Sequence, residues 1–307
     1  MGTTLDVVGR LAAGDVVIVD GGTGSQLQAE GVPMDDLAWS ARANLAHPGA
    51  VQRVHEEYIR AGAEVVIANT YAANRAALEP AGLGSNVAEV NRAAMRAALD
   101  ARRAAASRPV AVAGSISSFS AAVMAAPPAD TSIPGLAEFR EQAELLAEAG
   151  ADLIALEMIG GRGYGAAAVQ AAMETGLPVW LGVSPFREPD GTLGMQPEYG
   201  DGDTLEQLVS ALATPGLAAI TVMHAQPEVI VDAIDIVRRH YAGPIGVYAE
   251  TGEWMPPNWE FTGLNASQYL AEATTWAGCG AQLIGGCCGV GPEHIALLAS
   301  SLGRAAR

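Results

Sequence analysis

The stretch AQLIGGCCGVGPEHI, residues 281–295, holds in order a short apolar run, a glycine-rich turn and a helix start. The apolar run covers residues 281–284, and Pro292 stands where an α-helix accepts proline in its first turn. Between them lie Cys287 and Cys288, adjacent in a chain that has three cysteines. This pattern is typical of a strand–turn–helix unit that carries two thiols at the carboxyl end of its strand.

The same unit recurs along the chain. Seven earlier apolar runs are each followed by a helical pattern, at residues 15–22, 63–71, 108–116, 151–159, 177–185, 217–225 and 243–251. Continuous hydrophobicity, without alternation, indicates strands buried on both faces, as in a parallel sheet. Eight such units in 307 residues predict an α/β fold, a (β/α)8 TIM barrel forming a single domain over residues 1–307. A doubly wound sheet with an added domain is the alternative.

The amino-acid composition argues against several classes of function. The formal net charge of −17 disfavours a nucleic-acid or anionic-membrane partner, because either would repel the protein. We find no secretory leader and no apolar run long enough to span a bilayer, and three cysteines make a disulfide framework improbable. We therefore expect a cytoplasmic protein. All 17 basic residues are arginine, so enzymes that need a lysine amine, such as Schiff-base aldolases, are excluded.

Polar side chains follow every predicted strand. In a (β/α)8 barrel the carboxyl ends of the strands share one face, and that face holds the active site. Here those ends carry Asp20, Asn69, Ser115, Glu157, Ser184, His224, Glu250 and the pair Cys287–Cys288. A hydrophobic core has no use for such a ring, so the sequence predicts a binding pocket at this face.

The adjacent thiols predict a metal site. Neighbouring side chains of a strand point to opposite faces, so two cysteines share a target only where the chain leaves the strand. The glycines at 285–286 before them, with Gly289 and Gly291 after, are expected to give the backbone that freedom. A catalytic zinc ion takes three protein ligands. Cys279 precedes the strand, so we expect it at the opposite end of the barrel as a buried small hydrophobe. Among the histidines, His224 is expected at a strand's carboxyl end, so we predict that His224, Cys287 and Cys288 bind Zn²⁺.

Five segments, which follow one another in order between Asp20 and Ile295, resemble the homocysteine S-methyltransferase family. They are DGGTGSQLQAEG (20–31), ANTY (68–71), AGSI (113–116), ALEM (155–158) and IGGCCGVGPEHI (284–295). The resemblance implies a (β/α)8 barrel in which a zinc ion binds the thiol of homocysteine. It also implies that Asp20 and Glu157 bind the ammonium group of the amino-acid substrate.

Three departures from the family pattern concern the site. The family usually has a third cysteine, preceded by asparagine, at the end of the sixth strand, where this chain has Met223 and His224. Glu250 stands where an asparagine is usual, and the segment 114–120 reads GSISSFS instead of the usual glycine-serine-isoleucine-glycine-proline. An imidazole in place of a thiolate makes the metal site less negative by one charge. The departures leave the methyl donor, and whether homocysteine is the acceptor, open.

Further residues are candidates for substrate binding. The backbone of Gly21, Gly22 and Thr23 could bind the carboxylate of the acceptor, with Asn69 and Thr70 nearby. A cation-binding wall for the donor could consist of Tyr248, Glu250, Trp254 and Trp259, although packing at the rim explains them equally well. The acidic, glycine-rich segment 186–203 is a candidate lid, in which Asp203 could instead cap the next helix.

These observations favour a zinc-dependent methyltransferase. It would move a methyl group from an S-methylmethionine-like sulfonium or a betaine-like ammonium to homocysteine, giving methionine, so its partners are a small-molecule thiol acceptor and a methyl donor. A related enzyme with another thiol acceptor or a specialised donor is the first alternative. A non-catalytic metal-binding barrel is the second, and the oligomeric state is left open.

Overall fold

The computed structural model describes residues 4–119, 135–196, 202–255, 258–260 and 263–303. Eight parallel strands form one sheet, in which each strand pairs with the next along the chain. In chain order these barrel strands are Val17–Ile18, Val65–Ile67, Ala111–Ser117, Leu153–Glu157, Val179–Val183, Ala219–Met223, Ile245–Tyr248 and Ala281–Ile284. Each lies within one of the eight predicted runs or extends it by a single residue.

The sheet closes on itself between its first and second strands. The first strand pairs with the eighth, and a parallel bridge joins Val19 to Val65 on the other side. The N–H of Asp20 donates to the carbonyl of Val65 at 3.0 Å, and that of Glu64 donates to the carbonyl of Ile18 at 2.7 Å. The prediction of a (β/α)8 TIM barrel is therefore confirmed, and the open doubly wound sheet is wrong.

Helices follow each strand and cover the outside of the barrel, and one further helix, Val7–Ala12, precedes the first strand and packs against the interior cluster. They span Val7–Ala12, Thr23–Ala29, Ala43–Ala46, Pro48–Ala61, Arg75–Leu78, Val87–Ala105, Leu136–Glu148, Arg162–Glu174, Leu205–Leu212, Ile230–His240, Ala266–Gly278 and Pro292–Leu302. Among the described residues, no helix combines the length and the apolar character needed to cross a bilayer.

Two layers of apolar side chains hold the barrel. One layer lies between strands and helices, and the other fills the barrel interior around Trp180, which is fully buried. Small neighbours such as Ala111, Ala155 and Ala219 make room for this large ring in the interior. Because the packed interior blocks the middle of the barrel, ligands can reach only its ends, and the loops after the strands form one of them.

Candidate active site

A cavity of about 400 Å³ opens at the carboxyl ends of the strands. Its wall combines strand-end residues with aromatic and sulfur-containing side chains from the loops. It is lined by Gly21, Gly22, Thr23, Gly24, Trp39, Ile67, Ala68, Asn69, Tyr71, Phe119, Glu157, Met158, Gln196, Met223, His224, Gln226, Tyr248, Glu250, Gly252, Gly286, Cys287 and Cys288.

The predicted metal ligands come together in this cavity. One potential donor atom each from His224, Cys287 and Cys288 lies within 4.8 Å of the others, and Nδ1 of His224 is 3.4 Å from Sγ of Cys287. Imidazole and thiolate are ligands that thiophilic divalent metals prefer. The three residues therefore fit a metal ion, and the group assembled here is the one predicted from the sequence.

His224 has an unusual backbone conformation. Its φ is +44°, a left-handed conformation that costs energy for a residue with a Cβ. The hydroxyl of Ser184 donates to the carbonyl of His224 at 2.6 Å, and the N–H of His224 donates to the carbonyl of Tyr248 at 3.2 Å. Trp39 and Met158 also have positive φ and also line the cavity. Within the described chain, every non-glycine residue with positive φ therefore lies at this site.

Close packing determines the cysteine turn. A Cβ at Gly286 would lie 2.1 Å from Cγ1 of Val290, and one at Gly285 would lie 2.7 Å from Cβ of Val19. The positive φ in this turn belongs to Gly289, at +84°. The glycines at 285–286 are thus required for close approach more than for backbone freedom, which differs from the expectation.

Without a metal, the pKa values in this group reflect burial and mutual contact. The pKa of Cys287 is well above its usual value because its thiol bonds to that of Cys288 and is buried. Burial opposes protonation of His224, but the negative charges of Glu250 and Cys287 together raise its pKa well above the usual value. A divalent cation would reverse the balance at the thiols, because it favours thiolates.

Glu157 lies on the cavity wall with two hydroxyl partners. The hydroxyl of Ser115 donates to its carboxylate, and Tyr248 provides a second side-chain hydrogen bond. Burial nevertheless raises the pKa of Glu157 to about 7. The charge of His224 lowers this pKa, but within the described residues no basic side chain forms an ion pair with Glu157, as expected of a group that binds a cation.

Asp20 lies behind the cavity wall. It is 1% exposed, is not among the lining residues, and accepts a hydrogen bond from the N–H of Ile67 at 2.9 Å. Burial raises its pKa well above the usual value, and the charge of Glu157 adds to the shift. Asp20 thus favours its neutral form and does not face the cavity directly.

Two other predicted contacts are occupied by the protein itself. The side-chain amide of Asn69 bonds to Ser40 and Asn44, although Asn69 lines the cavity. The hydroxyl of Thr70 donates to the carbonyl of Ser115 at 2.8 Å and accepts from its N–H at 2.9 Å, and Thr70 is not a lining residue. The structure therefore gives Thr70 a supporting position behind the wall.

The glycine-rich turn after the first strand does line the cavity. Gly21, Gly22 and Thr23 all face it, and the helix Thr23–Ala29 begins there. The N–H of Gly22 is already bonded to the carbonyl of Val290 at 3.2 Å. A substrate carboxylate would therefore find its N–H donors in the first turn of this helix.

Sequence reasoning missed an aromatic wall formed by Trp39, Tyr71 and Phe119. The rings of Trp39 and Tyr71 meet edge to face with centroids 6.1 Å apart, and those of Tyr71 and Phe119 are 5.4 Å apart. The hydroxyl of Tyr71 donates to Sδ of Met158 at 2.8 Å. Tyr71 follows a predicted strand directly, which was an available signal, but Trp39 comes from a loop far from any strand end.

The remaining predictions concern the donor-binding wall and the lid at the rim of the cavity. Tyr248 and Glu250 line the cavity, whereas the side chains of Trp254 and Trp259 lie outside the described residues. Glu250 is buried with its Oε2 3.0 Å from Nδ1 of His224. Part of the predicted lid forms an antiparallel pair of strands, Pro185–Arg187 and Leu193–Met195, and residues 197–201 of that segment lie outside the description.

Two smaller expectations are wrong. Cys279 does precede the last strand, but it is exposed, because it ends the helix Ala266–Gly278 at the surface. Thr204, and not Asp203, caps the helix Leu205–Leu212. The carboxylate of Asp203 binds the guanidinium and the N–H of Arg162 instead.

Known proteins share this sequence and fold. The family described as homocysteine S-methyltransferase matches residues 17–302. Homocysteine S-methyltransferase 1 of Zea mays is 30% identical, with 96% of each chain covered. Selenocysteine Se-methyltransferase of Brassica oleracea var. italica is 27% identical, covering 92% of this chain and 87% of that one.

Crystal structures of one bacterial enzyme also match. The oxidized form of the homocysteine methyltransferase MmuM from Escherichia coli has a TM-score of 0.74 at 25% identity, covering 93% of this chain and 96% of that one. Its metallated form has the same fold, with a TM-score of 0.72. The protein described here therefore belongs to the homocysteine S-methyltransferase family and is a methyltransferase of that class.

Proposed function

We propose that the protein transfers a methyl group from a cationic donor to the thiol of homocysteine at a zinc site formed by His224, Cys287 and Cys288. The observation that carries the proposal is the convergence of these three donor residues, within 4.8 Å, in a cavity that Glu157 also lines. When bound, zinc would lower the pKa of the substrate thiol, which supplies the thiolate nucleophile that methyl transfer needs.

Glu157 supports an amino-acid acceptor. Glu157 lines the cavity, and burial raises its pKa, so the ammonium group of homocysteine would stabilise its charged form. Asp20 is a second carboxyl group behind the wall, and a cation bound nearby would favour its charged form. The first turn of the helix Thr23–Ala29 would take the acceptor's carboxylate, since Thr23 and Gly24 of that turn line the same cavity.

The aromatic wall supports a cationic donor. The faces of tryptophan and tyrosine rings attract sulfonium and quaternary ammonium groups, and Trp39 and Tyr71 line the cavity together. Tyr248 lies on the cavity wall as well, and Trp254 remains a predicted donor contact. In the reaction the carbon–sulfur or carbon–nitrogen bond of the donor breaks as the methyl–sulfur bond of the product forms. The positive charge disappears from the donor, which leaves as a neutral sulfide or amine.

A second acceptor deserves testing because one relative is a selenocysteine Se-methyltransferase. A selenol is more acidic and softer than a thiol, so a thiophilic metal site accommodates it. The cavity and the Glu157 carboxylate recognise features common to both amino acids. A non-catalytic barrel is disfavoured, because the metal-binding group and the carboxyl group of Glu157 occur together beside one cavity.

The free thiols support a proposal for the cellular location of the protein. The described structure contains free cysteines at 279, 287 and 288 and no disulfide among them. Two thiols that serve as metal ligands must stay reduced, so we propose a cytoplasmic location with small molecules as partners.

The test is an assay with zinc-loaded protein. Homocysteine is offered with S-methylmethionine or with betaine, and methionine is quantified as the product. We expect turnover with at least one donor and about 100-fold or greater loss in His224→Ala, since one metal ligand is removed. Bound zinc without turnover on any sulfonium or betaine donor would favour the non-catalytic barrel. Full zinc content and full activity in His224→Ala would refute the ligand assignment.

A further inference from the structure

Glu250 makes a buried contact with one of the metal-binding residues. Its Oε2 lies 3.0 Å from Nδ1 of His224, and the side chains of the two residues are 7% and 15% exposed. Its other oxygen, Oε1, accepts a hydrogen bond from Nε2 of Gln226 at 3.1 Å. Oε2 accepts no hydrogen bond of good geometry within the described residues, so its close polar contact is the imidazole.

The backbone fixes this contact from both sides. The N–H of Glu250 donates to the carbonyl of Ala225 at 3.2 Å, which ties the end of the seventh strand to the residue after His224. The N–H of Cys287 donates to the carbonyl of Ala249, the residue before Glu250, at 2.9 Å. Glu250 is therefore held beside His224 and the cysteine turn by main-chain bonds that do not depend on its side chain.

The contact between Glu250 and His224 changes the net charge around the proposed metal ion. A thiolate brings a negative charge to a divalent cation, whereas a neutral imidazole brings none. A buried carboxylate next to the imidazole supplies a negative charge near the ion. When it accepts from Nδ1–H it also orients the ring so that Nε2 binds the ion, as carboxylates commonly do for histidines that bind metals.

We propose that Glu250, held by Gln226, is a positioning residue that acts with His224 as one unit in metal binding. This inference rests on the proposed function, because it requires that His224 binds the metal. It assigns Glu250 to the metal centre instead of the donor-binding wall expected from the sequence. Gln226 supports Glu250 by a hydrogen bond that fixes the rotamer of its carboxylate.

The experiment is a double-mutant cycle read as zinc affinity, measured by competition with a chromogenic chelator. Glu250→Gln is made in the natural protein and in a His224→Cys background, where a thiolate brings its own charge and no imidazole needs orientation. We expect Glu250→Gln to weaken zinc binding about 10- to 100-fold in the natural protein. In the His224→Cys background we expect a change of less than about 3-fold, because the partner of Glu250 is gone.

Controls separate the possible outcomes. Glu228→Gln, at an exposed acid in the loop after the sixth strand, should leave zinc affinity unchanged. Thermal unfolding of the metal-free variants shows whether a loss of affinity comes from misfolding, and His224→Asn provides the second background should His224→Cys fail to fold. Equal losses in both backgrounds, or no loss in the natural protein, would overturn the inference. A natural protein that binds no zinc would instead overturn the proposed function.

Discussion

Asp20 and Glu157 are two buried carboxyl groups near the mouth of the barrel, and they are close enough for the charge of Glu157 to help raise the pKa of Asp20. Burial is the larger cause of the shift, and it also raises the pKa of Glu157 to about 7. Two buried carboxyl groups that resist ionisation are typical of a functional region, and a bound cation would favour their charged forms. The consequences can be measured without any assay of methyl transfer.

Glu157→Gln should change how stability depends on pH. The pKa of Glu157 rises from 4.5 in the unfolded chain to about 7 in the folded one, so the folded state binds its proton more tightly. Its contribution to stability is complete below pH 4.5 and is lost as the pH rises through 7. Between those pH values the natural protein should lose up to about 3 kcal/mol relative to Glu157→Gln. Denaturant unfolding of metal-free protein at a series of pH values measures this difference.

Glu148→Gln is the matched control, because the side chain of Glu148 is 67% exposed and its removal should leave the difference from the natural protein nearly independent of pH. A stability difference between the natural protein and Glu157→Gln that stays constant from pH 4.5 to 8 would show that Glu157 titrates normally. In that case its role as an ammonium-binding group would lose its main support.

The cysteine pair and the surface cysteine should behave differently. Cys287→Ser or Cys288→Ser removes a proposed metal ligand, and zinc affinity should fall by more than about 100-fold. Cys279→Ser should leave zinc content and activity unchanged, because Cys279 is exposed before the last strand and outside the metal-binding group. Metal content after dialysis against a weak chelator distinguishes the three variants. Retention of zinc by Cys287→Ser would contradict the assigned site.

Gly24→Ala should harm the donor site while favouring its own helix. Gly24 lies in the helix Thr23–Ala29, where alanine is intrinsically preferred by about 1 kcal/mol. Its added Cβ, however, would lie 2.4 Å from Cη2 of Trp39 and displace that ring. We expect unchanged or higher thermal stability together with a several-fold higher KM for the methyl donor. Lower stability with an unchanged donor KM would show that the ring of Trp39 does not bind the donor.

Trp39→Leu tests the aromatic wall directly. Loss of a cation–π contact worth about 0.5 to 2 kcal/mol should raise the KM for the donor by about 2- to 30-fold. The KM for homocysteine should change less than the KM for the donor, since the proposed acceptor contacts are the carboxylate of Glu157 and the N–H groups of the helix Thr23–Ala29, and the ring of Trp39 only lies beside that helix. Initial rates with each substrate varied in turn separate the two effects. An increase confined to the homocysteine KM would assign Trp39 to the acceptor instead.

The sequence alone predicted the barrel and the position of its site. Apolar runs buried on both faces leave few arrangements other than a parallel sheet, and eight of them close into a barrel. Because the carboxyl ends of all the strands meet at one face, residues as distant as His224 and Cys287 could be placed together by topology alone. The two thiols after the last strand then indicated a metal.

Only the tertiary structure decided which strand-end residues face the cavity and which support it. Glu157 and His224 line it, whereas Ser115 and Ser184 lie behind and hold those two residues by hydrogen bonds. The aromatic wall and the contact between Glu250 and His224 depend on the paths of the loops and on side-chain rotamers. Loop paths and rotamers are set by packing between segments far apart in the chain. Local sequence patterns therefore do not predict such contacts.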